Sequence, residues 1–177
     1  LISLGKTYER TIQFGIETDS QDADGEVVAE KPLPEDLSIE TVGKEMADFL
    51  GDQYQMPPMF SAKKIDGVPL YKMARKGKTV EREPRFIRIN EFKLLRFESP
   101  KVDFRMSSSK GTYVRTVAHD LGQKLGCGAH LTSLRRTHID QFDIEDGQTL
   151  EAIEKSPLSE FGDMLIPVHK AVPSHVL

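Results

Sequence analysis

The chain has 177 residues, of which 38% are apolar and 29% charged. That length suffices to bury about 70% of the unfolded chain's surface in one domain, and the composition argues against disorder. No run approaches the ~20 consecutive apolar residues of a membrane-spanning helix. The opening does not read as a signal peptide, and a single Cys127 excludes an intrachain disulfide framework, so the expected address is the cytoplasm.

The net charge of −4 speaks against nucleic acid only until its distribution is read: residues 1–62 carry −9, residues 63–96 carry +7, and residues 97–177 carry −2. A local field matters more than the total to an extended anionic ligand, which directs attention to the middle third. Both ends read as cut. Leu1-Ile2-Ser3-Leu4-Gly5 begins without methionine as though in mid-element, and a short polar tail follows Met164-Leu165-Ile166-Pro167-Val168.

In chain order, residues 7–16 place Tyr8, Ile12, Phe14 and Ile16 on one parity, predicting a half-buried strand. A turn cluster, Asp19-Ser20-Gln21-Asp22-Ala23-Asp24-Gly25, leads to a second strand at Val27-Val28. Read as a calcium loop it would start at Ser20 and end on Lys31, where a bidentate Glu is needed, so a hairpin turn is expected. Ser38 is a good N-cap for a helix whose apolar positions are Ile39, Val42, Met46, Phe49 and Leu50, with Gly51 as its C′ residue. The paired prolines predict that residues 54–62 are irregular and covered by something else.

A second amphipathic helix sets Leu70, Tyr71 and Ala74 against Lys72, Arg75 and Lys76 and stops at Gly77. Residues 86–97 and 102–106 read as strands joined at Ser99-Pro100, and a third helix runs from Val114 to Leu125. Strands and helices mix without strict βαβ alternation, so the expected fold class is α+β: a mixed, largely antiparallel sheet with flanking helices.

Ser107-Ser108-Ser109-Lys110-Gly111-Thr112 lacks the glycine that a phosphate loop needs before its lysine. None of the five histidines has another at i,i+3 or i,i+4, so no metal is expected, and Cys127 between two glycines reads as a small buried side chain. Lys63, Lys64, Lys72, Arg75, Lys76, Lys78, Arg82, Arg85 and Arg88, with Tyr71 and Phe86 interleaved, read as a solvated face or as an RNA or DNA track.

Four segments in register resemble the TruB family of bacterial tRNA pseudouridine synthases. They are Lys6-Thr7-Tyr8-Glu9 through Asp22-Ala23-Asp24-Gly25; Pro57-Pro58-Met59-Phe60-Ser61-Ala62-Lys63-Lys64 through Gly77; Ser109-Lys110-Gly111-Thr112-Tyr113-Val114-Arg115 through Gly122; and Leu125-Gly126-Cys127-Gly128-Ala129-His130 with Leu134-Arg135-Arg136. The resemblance covers about residues 1–140 and, more weakly, Leu165-Ile166-Pro167-Val168. It implies isomerisation of the T-loop uridine of tRNA (conventional position 55) by base flipping and an aspartate nucleophile, without metal or cofactor. Residue by residue, it implies that Tyr8 packs on the flipped base, Arg115 pairs with the catalytic aspartate, Tyr113 lines the pocket, Leu134 lies against the uracil and Lys64 stands beside it.

The same resemblance implies RNA contacts from Lys63, Lys64, Tyr71, Arg75, Lys76, Lys78, Arg82, Lys110, Arg135 and Arg136. The expected domains are 1–155, catalytic, with 63–96 as an RNA-gripping portion, and 156–177, a tail related to a C-terminal RNA-binding extension. The expected partner is the tRNA T arm, with no membrane, no obligate protein partner and a monomeric state. The family's Gly-x-Leu-Asp-Pro-x-Ala-x-Gly motif is absent from these residues, and Gly5 meets Lys6 directly where the family has a longer connection. Asp19, Asp22 and Asp24 match other family positions. The nucleophile is therefore expected outside the 177 residues, which alone would be inactive; the alternative is a non-catalytic tRNA-binding or tRNA-folding module.

Overall fold

The computed structural model describes residues 5–65 and 67–171; the opening Leu1–Leu4 and the end of the expected tail, residues 172–177, lie outside the described residues. Strand β1 (Lys6–Phe14) is the organising element. Along its whole length it pairs antiparallel with β8 (Lys101–Ser108). On its other edge it has two partners in turn: its first residues pair with β10 (Arg135–Ile139) and its last with β9 (Ala129–Leu131). With β7 (Arg85–Glu98), β4 (Gly51–Gln55) and β11 (Phe142–Asp143) the path is β11-β10-β1-β8-β7-β4, a seven-stranded sheet when β9 is added to β1.

The predicted strand of residues 7–16 is broken at Gly15, which takes φ +86° where an added Cβ would lie 3.3 Å from the Lys31 carbonyl oxygen. Beyond it the chain leaves the sheet as β2 (Ile16–Thr18), hairpinned to β3 (Val27–Glu30).

One face of the sheet is apolar because every second residue is: Ile12 and Phe14 on β1, Val102, Phe104 and Met106 on β8, and Ile87 and Ile89 on β7 are all buried. Two helices cover it. Helix α1 (Ile39–Ala47) contributes Val42 and Met46, and α3 (Val114–Lys124) contributes Val114, Val117, Ala118 and Leu121. A capping box starts α1, with Ser38 Oγ accepting from Thr41 N–H and Thr41 Oγ1 from Ser38 N–H. It ends at Ala47 with Asp48 as C-cap, so Gly51, φ +96°, opens β4 rather than following the helix. The opposite face is polar, with Thr11 on Asp103 at 2.5 Å and Arg105 between Glu9 and Glu91.

A second correction concerns residues 54–62. Tyr54 and Gln55 belong to β4, which stops just before the prolines because a ladder strand needs its N–H groups. Gln55 pairs with Arg85 across β4 and β7, so residues 56–84 form the connection of one hairpin. They carry β5 (Lys64–Ile65), β6 (Val68–Pro69) and the five-residue α2 (Leu70–Ala74).

The chain divides into two compact units, Leu1–Phe142 and Asp143–Leu177. The second, as far as described, holds α4 (Leu150–Lys155), capped by Thr149, then α5 (Phe161–Met164) and α6 (Val168–Ala171). No helix among the described residues is long and apolar enough to cross a membrane.

Candidate active site

Between the two partners of β1, the chain must cross from β9 to β10. Thr132 anchors this crossing, donating both its N–H and its hydroxyl to the Thr11 carbonyl, at 2.9 and 3.0 Å. The loop that follows carries Leu134 out to 44% exposure, and Tyr8 of β1 is half-buried. At the other rim, β8 feeds α3 through residues 109–113, and Tyr113 is the N-cap, extended at φ −95°, ψ 104°. Tyr8, Tyr113, Arg115 and Leu134 thereby line one cavity of about 390 Å³, within the size range of small-ligand pockets.

The feature that sequence spacing could not supply is Asp22. Arg115 Nη1 donates to Asp22 Oδ2 at 2.7 Å, and its Nη2 donates to the Phe60 carbonyl. The two side chains are 21% and 24% exposed. Burial pushes the Asp22 carboxyl up, but the hydrogen bonds from Ser20 and Arg115, the guanidinium charge and the Asp24 N–H outweigh it and hold the carboxyl below its ordinary value.

Asp22 sits in the turn between β2 and β3, and that turn is tied down. Thr18 Oγ1 donates to the Asp22 carbonyl at 2.7 Å, Leu131 N–H to the Gln21 carbonyl at 3.1 Å, and Thr116 Oγ1 of α3 to Gln21 Oε1 at 2.8 Å. Gly25 closes it where an added Cβ would fall 2.3 Å from Ser20 Oγ. Asp19, accepting from Glu26 N–H at 3.0 Å, and Asp22 are thus engaged in turn hydrogen bonds and the ion pair, in keeping with the hairpin of β2 and β3.

Tyr8 hydrogen-bonds Arg136, its cross-strand neighbour; burial still raises its hydroxyl pKa against that cation. A second cavity of about 790 Å³ shares Asp22, Tyr113 and Arg115 with the first, and is lined further by Phe60, Ser61, Tyr71 and Arg75. Arg75 lies over the Tyr71 ring at 5.4 Å.

The remaining predicted cations are spread more widely. Arg75, Lys76 and Lys78 line a third groove. Lys64, Lys110, Arg135 and Arg136 are exposed, Lys64 lining neither cavity of the site. Lys63 Nζ reaches the Glu83 carbonyl at 3.5 Å. Arg82 turns inward, donating from Nη1 to the Pro57 carbonyl at 2.8 Å. Cys127 is fully buried and burial raises its thiol pKa, which fits a packing role. Among the described residues no group of three or more His, Cys, Asp or Glu is placed to hold a metal.

Comparison with known proteins bears on this geometry. The sequence model described as "TruB family pseudouridylate synthase (N terminal domain)" matches residues 1–114, and that of the "tRNA pseudouridylate synthase B C-terminal domain" matches residues 115–172. The chain is 61% identical over 176 residues to tRNA pseudouridine synthase B of Opitutus terrae, covering 99% of this chain and 73% of that protein. It is 44% identical to the protein of the same name in Syntrophotalea carbinolica, covering 97% of this chain but 56% of the relative. Against the relative from Stutzerimonas stutzeri, 46% identical, it spans 50% of that protein's length and 88% of its own.

Among solved structures, a chain in a Cbf5-Nop10-Gar1 complex superposes with a TM-score of 0.68 at 25% identity, covering 97% of this chain and 44% of that one. A chain in an H/ACA RNP bound to a substrate RNA containing 2'-deoxyuridine shares the fold, with a TM-score of 0.61 at 21% identity over 94% of this chain and 38% of its own. The largely antiparallel sheet with its flanking helices is thus one already seen in these structures, and the matches over nearly all of its length show that the chain belongs to the TruB family of pseudouridylate synthases.

Proposed function

We propose that the protein is a tRNA pseudouridine synthase that isomerises the T-loop uridine, with the cavity around Tyr8, Tyr113, Arg115 and Leu134 receiving the flipped base. The observation that supports this reading most is the convergence, in one small cavity, of an aromatic ring, an apolar side chain and an arginine already oriented by a carboxylate. A uridine in a folded loop must leave its stack before its glycosidic bond can be reached, and the Tyr8 face offsets part of the stacking lost. Arg115, fixed by Asp22 and the Phe60 carbonyl, is oriented to hold and keep ionised a second carboxylate, the family's nucleophilic aspartate.

That aspartate belongs to the Gly-x-Leu-Asp-Pro motif, which these 177 residues do not contain, so the reaction is assigned to the enzyme that includes it. The nucleophile bonds to the sugar or the base and leaves again as a carboxylate once the new bond is made, so it is regenerated. The bond from N1 to the ribose C1′ breaks, the base turns, and C5 bonds to C1′; C5 gives up its proton and N1 gains one, so the product is an isomer. Nothing in this sequence of bonds calls for a metal or cofactor. The same reading takes tRNA as partner, assigns the work to a monomer in the cytoplasm, and uses residues 63–96 to grip the T arm.

The test is an unmodified tRNA transcript incubated with the enzyme carrying the Leu-Asp-Pro motif, with pseudouridine mapped by carbodiimide primer extension. Conversion at the T-loop uridine alone is expected. Arg115→Lys should lower the rate by at least about a hundredfold, because a point charge does not reproduce two directed N–H bonds. Near-normal turnover by that variant refutes the role of Arg115, and tight tRNA binding without any conversion would favour the non-catalytic module.

A further inference from the structure

Gln55, the last residue of β4, is 5% exposed and lines neither cavity of the site. Among the described residues its amide bonds to one residue, and holds it twice. Nε2 donates to the Tyr113 carbonyl at 3.0 Å, and the Tyr113 N–H donates to Oε1 at 2.8 Å. Tyr113 stands at the corner where β8 becomes α3, with no side-chain cap of its own. Its carbonyl receives the first helical N–H groups, Thr116 at 3.1 Å and Val117 at 3.2 Å, but its N–H has neither a ladder nor a helix partner. A buried peptide N–H left alone is costly, and a primary amide is the side-chain group that offers a donor and an acceptor side by side.

The two hydrogen bonds hold the peptide groups on either side of the Tyr113 Cα, and so fix that residue's φ and ψ where one bond would leave the other peptide free to swing. The Tyr113 ring and, two residues on, the Arg115 guanidinium are both aimed from this corner into the shared wall of the two cavities. The strand that carries Gln55 is itself held in register by β7, from Gly51 on Ile89 to Gln55 on Arg85. We infer that Gln55 is a positioning residue for the isomerisation: from outside the pocket it fixes the backbone of Tyr113 on both sides of its Cα and thereby aims Tyr113 and Arg115 at the base and its carboxylate. This rests on the uridine-binding reading of the cavity given above.

The test uses the full enzyme with Gln55→Glu and Gln55→Met. A protonated glutamic acid keeps one carbonyl acceptor and one O–H donor, and so makes both bonds to Tyr113. Ionised, it has acceptors only and opposes the Tyr113 carbonyl. Single-turnover rates on tRNA should therefore be within about threefold of wild type at the acid end of the working range for Gln55→Glu. They should fall at least about tenfold relative to wild type as pH rises, with the KM for tRNA nearly constant.

Gln55→Met, of similar shape but without either group, should be slow at every pH and show no such fall. Thermal melts across the same range show whether both variants stay folded, which separates aim from unfolding. An active wild type with a Gln55→Glu profile parallel to its own, or a loss lying wholly in KM, overturns the inference alone. A wild type that forms no pseudouridine overturns the proposed function and the inference together.

Discussion

The ion pair between Asp22 and Arg115 makes stability depend on pH in a definite sense. Burial opposes ionisation of Asp22, but Ser20, Arg115 and the Asp24 N–H win, so its carboxyl titrates lower in the folded chain than in the unfolded one. The stabilisation it gives is therefore complete above the ordinary aspartate pKa of about 3.9 and is lost as pH falls through the lower folded value. Asp22→Asn should cost about 1–3 kcal/mol at pH 7, and the gap from wild type should narrow only below about pH 3.9; urea midpoints from pH 7 down to about pH 2 measure it. Glu17, held by Lys31 at 2.6 Å and Gln123 at 2.8 Å, is lowered below its ordinary value despite its burial and adds to the same acid limb. An acid limb therefore survives in Asp22→Asn, reduced and not abolished.

At the scale of elements, α3 is pressed against the start of β9 by the absence of a side chain. A Cβ added at Gly122 would lie 2.2 Å from the Ala129 nitrogen, where Gly128 N–H already donates to the Gly122 carbonyl at 2.9 Å. Backbone cannot retreat as a flexible side chain does, so Gly122→Ala should destabilise by about 3 kcal/mol, at the upper end of the usual overpacking range, read from the denaturation midpoint. Of these elements, β1, β7, β8, α1 and α3 were legible because each has a one-sided apolar pattern with period two or near 3.6. The short β4 was not. Gly51-Asp52-Gln53-Tyr54-Gln55 has no apolar alternation, buries only Gln55, and owes its strand form to the β7 backbone beside it. The same blindness hid Gln55 in a presumed loop. Tyr8, Tyr113, Arg115 and Leu134 were reached through family resemblance, but the carboxylate that meets Arg115 lies 93 residues away in a turn, and no local pattern signals such a meeting.

For the molecule as a whole, a net charge of −4 conceals a segment, residues 63–96, that carries +7. If that segment grips the T arm, tRNA affinity should fall with salt, by about 0.7–0.9 in log K per decade of salt for each phosphate neutralised. Lys76→Gln should flatten that slope by about one such increment, as read by filter binding at several salt concentrations. Arg82→Gln should act differently, since its guanidinium is committed to the Pro57 carbonyl: loss of that bond should leave the slope closer to wild type and quicken proteolysis between residues 56 and 84.

The hairpin itself carries a wider consequence. Because Gln55 and Arg85 face each other across β4 and β7, the connection of residues 56–84 leaves and re-enters the sheet at neighbouring points. Its length is then nearly free to vary, since doubling a closed loop costs only about 0.6 kcal/mol. Evolution, or an engineer, can lengthen or exchange what lies between Arg75 and Arg82, provided that Phe60, whose carbonyl holds Arg115, and the residues up to Arg75 that line the second cavity stay in place.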